Sequence, residues 1–346
     1  MRTVTVRDLV FGEGRPKICV PVVARDLAAL TVQAEELRSL DADLCEWRVD
    51  WYDGEDLEEA ARTLRGYLPH MPLLFTFRTK AEGGEKELSG EGYAALCKKL
   101  MALKDCGIVD IELFTAGKDA AELTEIAHQA GKAVIFSSHD FQTTPPEDEI
   151  ISRLSRMEEL GGDLLKIAVM PNSPADVLTL LSATMKMRER SSRPLVTMSM
   201  GPMGAVSRAC GETFGSCMTF GAAKTASAPG QIPVGDLKRM LELFALQKEE
   251  WVRVDAYLIP SSKAKEYIAD REYYAQKAAE VFGEFCPDVR RDWAGSEDGE
   301  AVVACDEGGR LMMHVHLDPD NIREMKEADR KGELRRWLLT DYIKEE

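Results

Sequence analysis

The chain has 346 residues, 45% of them hydrophobic and 30% charged, which is enough for one large globular domain and a small second one. A formal net charge of -16, without any Lys/Arg-rich run, argues against a nucleic-acid partner, so an anionic substrate would need its own arginine cluster. The eight cysteines form no CxxC pair, the N-terminus does not resemble a signal peptide, and no segment has the length of a membrane span. We therefore expect a cytoplasmic protein with reduced thiols and no membrane contact.

The chain begins with a predicted hairpin and continues as a repeated strand and helix pattern. Apolar and polar residues alternate from Thr3 to Val10 and end in a turn-rich GEGRP segment. Eight short apolar runs follow, which read KICVPVV, DLCEWRVD, PLLFTFR, GIVDIEL, KAVIFSS, DLLKIAV, PLVTMSM and SCMTFG. Helical patterns rich in Ala, Leu, Glu and Lys separate them, so each unit has roughly 30 residues, as in βα repeats. Residues 1–250 are therefore predicted to form a (β/α)8 TIM barrel. No GxGxxG motif supports a nucleotide-binding sheet instead.

One of the apolar runs contains a lysine in its middle. The segment from Gly162 to Pro171 has the length and composition of a buried parallel strand, and it includes Lys166. A lone ammonium is costly in a low-dielectric interior, so this lysine must be neutral, paired with a carboxylate, or directed into a polar cavity. A lysine with a depressed pKa is a nucleophile for carbonyl carbon. The strand by itself leaves a catalytic lysine and a paired core lysine equally open.

Chemically active side chains recur at the predicted carboxyl ends of the strands, where barrel enzymes place their active sites. They are Glu46, Arg48, Arg78, Glu82, Glu112, His139, Lys166, Met198 and Met200, followed by Ser227 and Gln231 in the eighth loop. A lysine can form an imine with a ketone, and a histidine can carry a proton near neutral pH. Arginines, including Arg208, can bind a carboxylate or hydroxyls. We expect no metal site and no cofactor.

Several motifs of the chain resemble the type I 3-dehydroquinate dehydratases of the shikimate pathway. They read TVTVRDLVFGEGRPKI, EWRVDWYD, LLFTFRTKAEGGE, SSHDF, LLKIAVMP, VTMSMG, SRACGETFGS and TFGAAKTASAPGQIPV, in order and with compatible spacing to about residue 248. The resemblance implies a lyase that converts 3-dehydroquinate to 3-dehydroshikimate without cofactor or metal, in aromatic amino acid and chorismate biosynthesis. It also implies a homodimer in the cytoplasm.

The resemblance also implies a role for each matched residue. Lys166 forms the Schiff base, His139 transfers the proton in a syn elimination, and Glu82 works with His139. The implied substrate-binding residues are Glu46, Arg48, Arg78, Arg208, Ser227, Gln231, Met198, Met200 and Phe220, with Arg208 on the substrate carboxylate and Ser227 and Gln231 in a closing loop. Two departures are expected to affect substrate affinity alone: Pro21 stands where relatives often have Ser, and GPMGAV replaces a more polar stretch.

The resemblance ends before residues 251–346, which are predicted to be a small α+β appendage. They contain a possible strand WVRVDAYLI, a long amphipathic helix, a hairpin with DEGG at its turn, and a last charged helix or helix pair. His314 and His316 would share one strand face near Asp318, either as a metal site or as inert surface residues. Oligomerisation, small-molecule regulation and a structural addition are all open as the role of the appendage.

Two rival functions can be weighed against the dehydratase. Another lysine-imine barrel enzyme, of the aldolase or transaldolase kind, would be favoured by a Gly-rich phosphate loop after the seventh and eighth strands. That region contains instead Arg208 and an APGQ segment. A non-catalytic binding protein on the same barrel would be favoured by loss of Lys166 or His139, and the chain has both.

Overall fold

The computed structural model describes residues 3–223, 229–246, 251–254, 257–293 and 300–340. The chain divides into two compact units, Met1–Phe244 and Ala245–Glu346. Along the described ranges, no helix is both long enough and apolar enough to span a membrane.

The first unit begins with an antiparallel hairpin and continues with the predicted parallel strands. The hairpin strands are β1 (Val4–Val6) and β2 (Leu9–Phe11). The parallel strands are β3 (Lys17–Val22), β4 (Leu44–Arg48), β5 (Leu73–Thr76), β6 (Ile108–Glu112), β7 (Ala133–Asp140), β8 (Leu164–Val169), β9 (Leu195–Ser199), β10 (Met218–Ala222) and the short β11 (Ile232–Pro233). All eight predicted apolar runs therefore form strands, and the predicted hairpin is confirmed.

Helices alternate with these strands. They are α1 (Leu27–Arg38), α2 (Leu57–Tyr67), α3 (Gly90–Ala102), α4 (Leu113–Ala116), α5 (Ala120–Gln129), α6 (Glu147–Glu159), α7 (Pro174–Arg190), α8 (Gly201–Phe214) and α9 (Val234–Leu246). The sequence of α2 explains its position, because Leu57, Ala60 and Leu64 recur at helical spacing and are buried against the sheet. Its first turn is capped by Asp56, whose carboxylate accepts from the backbone N–H of Glu59 at 2.8 Å.

The parallel strands close into a barrel. Their order is β11-β10-β3-β4-β5-β6-β7-β8-β9. A parallel bridge between Leu195 of β9 and Ser216, just before β10, closes the ring, and the N–H of Cys217 donates to the carbonyl of Leu195 at 2.8 Å. The (β/α)8 fold predicted from the sequence is confirmed.

The interior of the barrel changes from apolar to charged along several strands. Side chains that alternate along a strand point to the same face, so residues two apart follow one another up the barrel. On β6 the inward series is Ile108, Asp110 and Glu112, and on β8 it begins with Leu164 and Lys166. At the lower end, Val6 and Phe11 of the hairpin belong to the same apolar cluster as Ile108 and Leu164. The hairpin therefore seals the amino-terminal end of the barrel, and the charged residues lie toward the other end.

The second unit is a small α+β structure, as predicted. It contains the antiparallel pair β12 (Trp251–Val254) and β13 (Tyr257–Pro260), the helix α10 (Ser261–Phe282), the strands β14 (Asp288–Trp293), β15 (Glu300–Cys305) and β16 (Leu311–His316), and the helices α11 (Pro319–Arg330) and α12 (Leu334–Leu338). The three strands β14-β15-β16 form one antiparallel sheet. Val302 and Val315 of that sheet pack with Phe282 of α10 and Ile322 of α11 in a core of their own.

Candidate active site

Lys166 lies in the middle of β8 with its side chain inside the barrel, and it is 4% exposed. Its Nζ is 2.5 Å from Nε2 of His139 and 5.2 Å from the centre of the Phe220 ring. Burial lowers the pKa of Lys166 to about 8, and the positive charge of Arg78 acts in the same direction. A large share of this amine is consequently unprotonated at mildly alkaline pH, which is the form that attacks a carbonyl carbon.

His139 bridges Lys166 and Glu82. Its Nδ1 is 2.9 Å from Oε2 of Glu82, and its backbone N–H donates to the same oxygen at 3.0 Å. A carboxylate on Nδ1 favours the tautomer with the proton on that nitrogen, which leaves Nε2 as a base facing Lys166. Burial, together with the positive charges of Arg78 and Lys166, lowers the pKa of His139 well below its usual value. Burial likewise raises the pKa of Glu82.

Arg78 lies below this pair in a network of buried acids. Its Nη1 donates to Oε1 of Glu112 and to Oγ of Ser137, both at 2.9 Å. Its Nη2 donates to Oδ2 of Asp110 at 2.8 Å, and Oε2 of Glu82 lies 3.7 Å from Nη1. Burial by itself would lower the pKa of Arg78, but the surrounding carboxylates outweigh it and raise the pKa.

Two further charged residues line the same side of the site. Arg48 donates through Nε and Nη2 to both oxygens of Asp50, at 2.9 and 2.7 Å, which fixes its guanidinium. Glu46 accepts from Oγ1 of Thr76 at 2.9 Å. Both are buried, so their positions are determined by the strand ends rather than by solvent.

Arg208 of α8 lies on the opposite wall and is buried without a carboxylate. Its Nη1 donates to the sulfur of Met198 at 3.5 Å and its Nη2 to the carbonyl of Pro229 at 3.1 Å. Its Nε has no hydrogen-bond partner, and no acid of the described ranges forms an ion pair with it. Burial lowers the pKa of this guanidinium to about 10. A buried cation without a counter-ion is a ready site for an anionic group of a substrate.

One pocket contains nearly all of the residues that the sequence indicated. Its lining includes Glu46, Arg48, Arg78, Glu82, His139, Lys166, Met198, Met200, Arg208, Phe220 and Gln231. Two predicted residues remain: Glu112 does not line the pocket but binds Arg78, and Ser227 lies outside the described residues. The lining also contains Gly83, Phe141 and Ala168, which the sequence analysis did not identify.

Phe141 and Gly83 form one contact that the sequence did not reveal. The ring of Phe141 stacks on His139, with centroids 6.4 Å apart and planes inclined by 22°. Gly83 has a φ of +84°, and a Cβ at this position would lie 2.3 Å from the Phe141 ring. Glycine at position 83 therefore gives the ring room to cover the histidine. The tripeptide HDF and the pair GG were the available signals, but neither indicates a contact between loops distant in sequence.

Buried acids beneath the site were also missed. Asp50 and Asp110 have fully buried side chains and bind Arg48 and Arg78, respectively. Asp110 carried the same signal as Lys166, namely an ionisable residue in the middle of an apolar strand run. Glu112 stands out at the carboxyl end of that strand, whereas Asp110, two residues earlier on the same face, lies inside the apolar run.

The two departures and the histidine pair can be located in the structure. Pro21 is buried in β3 opposite Glu46 in the register, and Gly201–Val206 forms the start of α8. In the second unit, the rings of His314 and His316 are 5.3 Å apart. Across the described residues, no three potential metal ligands cluster.

Comparison with known proteins decides the family. The family model of type I 3-dehydroquinase matches residues 18–248. A 3-dehydroquinate dehydratase of Syntrophotalea carbinolica is 52% identical over 252 residues, which cover 71% of this chain and 100% of the relative. The chain belongs to the type I 3-dehydroquinase family.

Solved structures agree with this assignment. The type I 3-dehydroquinate dehydratase of Clostridium difficile, solved with covalently modified comenic acid, matches with a TM-score of 0.69 and 45% identity. The match covers 71% of this chain and 99% of that one. A 3-dehydroquinate dehydratase of Enterococcus faecalis gives a TM-score of 0.65 at 41% identity over 70% of this chain and 99% of that one. The family predicted from the motifs is confirmed, and the second unit of this type I 3-dehydroquinase has no counterpart in these matches.

Proposed function

We propose that the barrel dehydrates 3-dehydroquinate to 3-dehydroshikimate through an imine on Lys166. The observation that carries this proposal is the 2.5 Å contact between Lys166 Nζ and His139 Nε2 inside the pocket. It places a nucleophilic amine and a base within reach of one bound ketone and its neighbouring carbon. The activity is the one in the names of the relatives, and this chain covers their full length.

The chemistry follows from these two side chains. The neutral amine of Lys166 attacks the ketone carbon, and loss of water gives a protonated imine that acidifies the adjacent carbon. His139 Nε2 removes a proton from that carbon, and the resulting enamine expels the hydroxyl on the next carbon. The hydroxyl takes the proton from His139 and leaves as water. A second water then hydrolyses the conjugated imine and restores Lys166. The imine formed in the first step and hydrolysed in the last is a covalent intermediate that borohydride can reduce.

The other residues of the pocket bind and orient the substrate in this proposal. Arg208 binds the substrate carboxylate, which supplies the counter-ion that its buried guanidinium lacks. Glu46, Arg48 and Arg78 hold the hydroxyls, and Glu82 maintains the tautomer of His139. The apolar wall consists of Met198, Met200 and Phe220, and Ser227 and Gln231 are assigned to the exclusion of water from the bound substrate.

A direct assay tests this function. With 3-dehydroquinate, we expect growth of the enone absorbance of the product, and a kcat/KM that rises with pH to a midpoint near 8, because the free amine must be unprotonated. Borohydride added during turnover should attach the reduced substrate to the peptide containing Lys166, as read by mass spectrometry. Turnover of a phosphorylated sugar instead would favour an aldolase-type enzyme. Binding of 3-dehydroquinate without turnover or trapping would favour a binding protein.

We further propose that the enzyme is a homodimer of the cytoplasm. Leu178 and Met185 of α7, with Met203 and Val206 of the adjacent α8, are between 44 and 67% exposed and would be covered by a second copy. All eight cysteines are free thiols, which suits a reducing compartment. Light scattering should give twice the chain mass, and Leu178→Lys should halve it; a wild-type chain of single mass would contradict the dimer. Fractionation of the source cells should place the activity with cytoplasmic markers.

A further inference from the structure

Asp110 lies beneath the reacting residues and lines no part of the pocket. Its side chain is fully buried in the middle of β6, one inward position below Glu112. It accepts two hydrogen bonds, from Nη2 of Arg78 at 2.8 Å and from Oγ of Ser137 at 2.7 Å. A carboxylate in this position is expensive to bury, so its retention calls for a specific partner or role.

Both hydrogen-bond partners of Asp110, Arg78 and Ser137, lie next to the reacting residues. Arg78 lines the pocket, and its Nη1 is 3.7 Å from Glu82, the residue that binds His139. Ser137 lies opposite Lys166 in the register of β7 and β8, and its hydroxyl is within 2.9 Å of Arg78. The carboxylate therefore completes a closed set of contacts that fixes the Arg78 fork under the Lys166 and His139 pair.

Glu112 cannot take over this function, because its oxygens are already engaged. It accepts from the N–H of Thr79 at 2.8 Å, from the hydroxyl of Thr79 at 2.7 Å and from the hydroxyl of Thr115 at 2.6 Å, besides its contact with Arg78. These donors tie Glu112 to the loop after β5 and to α4. Loss of Asp110 would leave the Nη2 side of the Arg78 fork without its carboxylate.

The charge of Asp110 also acts on the lysine. Burial and the positive charge of Arg78 lower the pKa of Lys166, whereas the negative charges of Asp110, Glu46 and Glu82 raise it. Asp110 therefore partly cancels the effect of Arg78 on the amine. Without it, Arg78 would act on Lys166 more strongly.

We propose that Asp110 is a positioning residue of the dehydration, which fixes Arg78 and Ser137 under Lys166 and balances the charge of Arg78 there. This inference rests on the proposed function. It extends that function to a residue that does not touch the substrate. With Asp110 in place, Arg78 can bind substrate in the pocket without its positive charge alone setting the protonation state of Lys166.

The test measures the protonation of Lys166 without turnover. The rate at which acetic anhydride acetylates Lys166 is followed against pH, and the Lys166 peptide is quantified by mass spectrometry in the full-length chain. Asp110→Asn removes the negative charge and keeps the shape, so the midpoint should fall by about one pH unit. Separately, kcat/KM for 3-dehydroquinate should fall by about 100-fold, because Arg78 loses its orientation. A wild-type chain that does not turn over 3-dehydroquinate would refute the proposed function, and the acetylation midpoints would still report the charge effect.

A matched control and a compensating variant make the test specific. Asp43→Asn also removes a carboxylate that binds both arms of an arginine, Arg15 at 2.8 and 2.9 Å, but before β4 at the other end of the barrel. It should leave the midpoint of Lys166 unchanged. Arg78→Gln should raise that midpoint, and Asp110→Asn with Arg78→Gln should return it close to the wild-type value.

The double variant also covers a folding failure of the single one, because it removes both charges of the buried Asp110 and Arg78 pair, while Glu112 keeps its donors from Thr79 and Thr115. An unchanged midpoint in Asp110→Asn would overturn the inference. An equal shift in Asp43→Asn, or a double variant whose midpoint matches that of Arg78→Gln, would overturn it as well.

Discussion

The two units of the chain use charge in opposite ways. In the barrel, Lys166, Arg78, Arg208 and Glu82 are among the charged residues that are buried, and all but Arg208 lie in one network of hydrogen bonds and ion pairs through His139. Across residues 263–291 and 301–340 of the second unit, no charged side chain is buried. Its ion pairs include exposed ones, such as that of Arg335 and Glu284, at 54 and 51% side-chain exposure.

The difference reflects two roles of charge: buried charges serve the reaction in the barrel, and exposed charges face solvent in the second unit. A charge on the surface costs little and contributes little, since exposed ion pairs are worth about 0 to 1 kcal/mol. A charge in the interior is costly to desolvate, so a cluster of them persists where a reaction needs perturbed acids and bases. By this criterion the barrel is the catalytic unit, and the second unit is stabilised by its apolar core.

The largest expected effect is that of Lys166→Ala. Without the amine no imine forms, so turnover of 3-dehydroquinate should fall by more than about 10⁴-fold, and borohydride should trap nothing. Lys238→Ala is the matched control, because Lys238 of α9 pairs with Asp41 on the surface at 2.9 Å. It should retain wild-type turnover. Near wild-type activity in Lys166→Ala would refute the imine mechanism.

His139→Ala should cost less, about 10² to 10⁴-fold in kcat, because proton transfer slows while the amine remains. Borohydride should still attach substrate to Lys166, which separates imine formation from elimination. His128→Ala provides the control, since His128 contacts Asp163 at 2.8 Å and is 42% exposed. A His139→Ala protein with wild-type kcat would remove His139 from the proton-transfer step.

Arg208→Met should separate binding from stability. The substrate carboxylate loses its partner, so KM should rise by about 10 to 100-fold, as expected for a charge-assisted hydrogen bond. The free energy of unfolding should rise by about 1 kcal/mol, because a buried guanidinium without a counter-ion is replaced by an apolar side chain of similar size.

The control for Arg208→Met is Arg65→Met. Arg65 pairs with Asp105 at 3.3 Å and donates to the carbonyls of Leu68 and Met71, each at 2.8 Å. Its loss leaves buried acceptors unpaired, so urea denaturation should show lower stability with KM unchanged. Destabilisation by Arg208→Met, combined with an unchanged KM, would contradict the assigned role.

The smallest effect is expected in the second unit. Arg335→Ala removes an exposed ion pair and the contact of its guanidinium with Phe285, 5.7 Å from the ring centre. Thermal unfolding should change by less than about 1 kcal/mol, and kcat should not change. A loss of activity would show that the surface charges of this unit matter to the reaction, and would break the contrast between the two units.

The sequence predicted the barrel well because each strand is a short, nearly continuous apolar run. A parallel strand buried on both faces requires this composition, and the runs from KICVPVV to SCMTFG all have it. The motif residues of the site could be predicted for a related reason, since the carboxyl ends of parallel strands meet at one edge. Lys166, His139 and Glu82 are distant in sequence, yet they form one chain of contacts.

The contacts that escaped prediction have identifiable causes. Asp110 was hidden because its partner, Arg78, follows the neighbouring strand β5, and the sequence does not show which acid faces which base. The strand β14 reads DVRRDW, whose charges resemble a loop, but one edge of a small sheet tolerates them. The segment WVRVDAYLI was predicted as one strand and forms two that pair with each other.

The hairpin at the start of the chain determines by which end of the barrel small molecules enter and leave. Val6 and Phe11 seal the amino-terminal end of the barrel with apolar side chains, so the described part of the pocket opens toward the carboxyl ends of the strands. In the proposed reaction, each turnover releases one water molecule during elimination and consumes another during hydrolysis, balancing the one lost when the imine forms. All of that water must pass through the opening used by substrate and product. A change that narrows this opening would therefore slow substrate binding, hydrolysis of the imine and product release together.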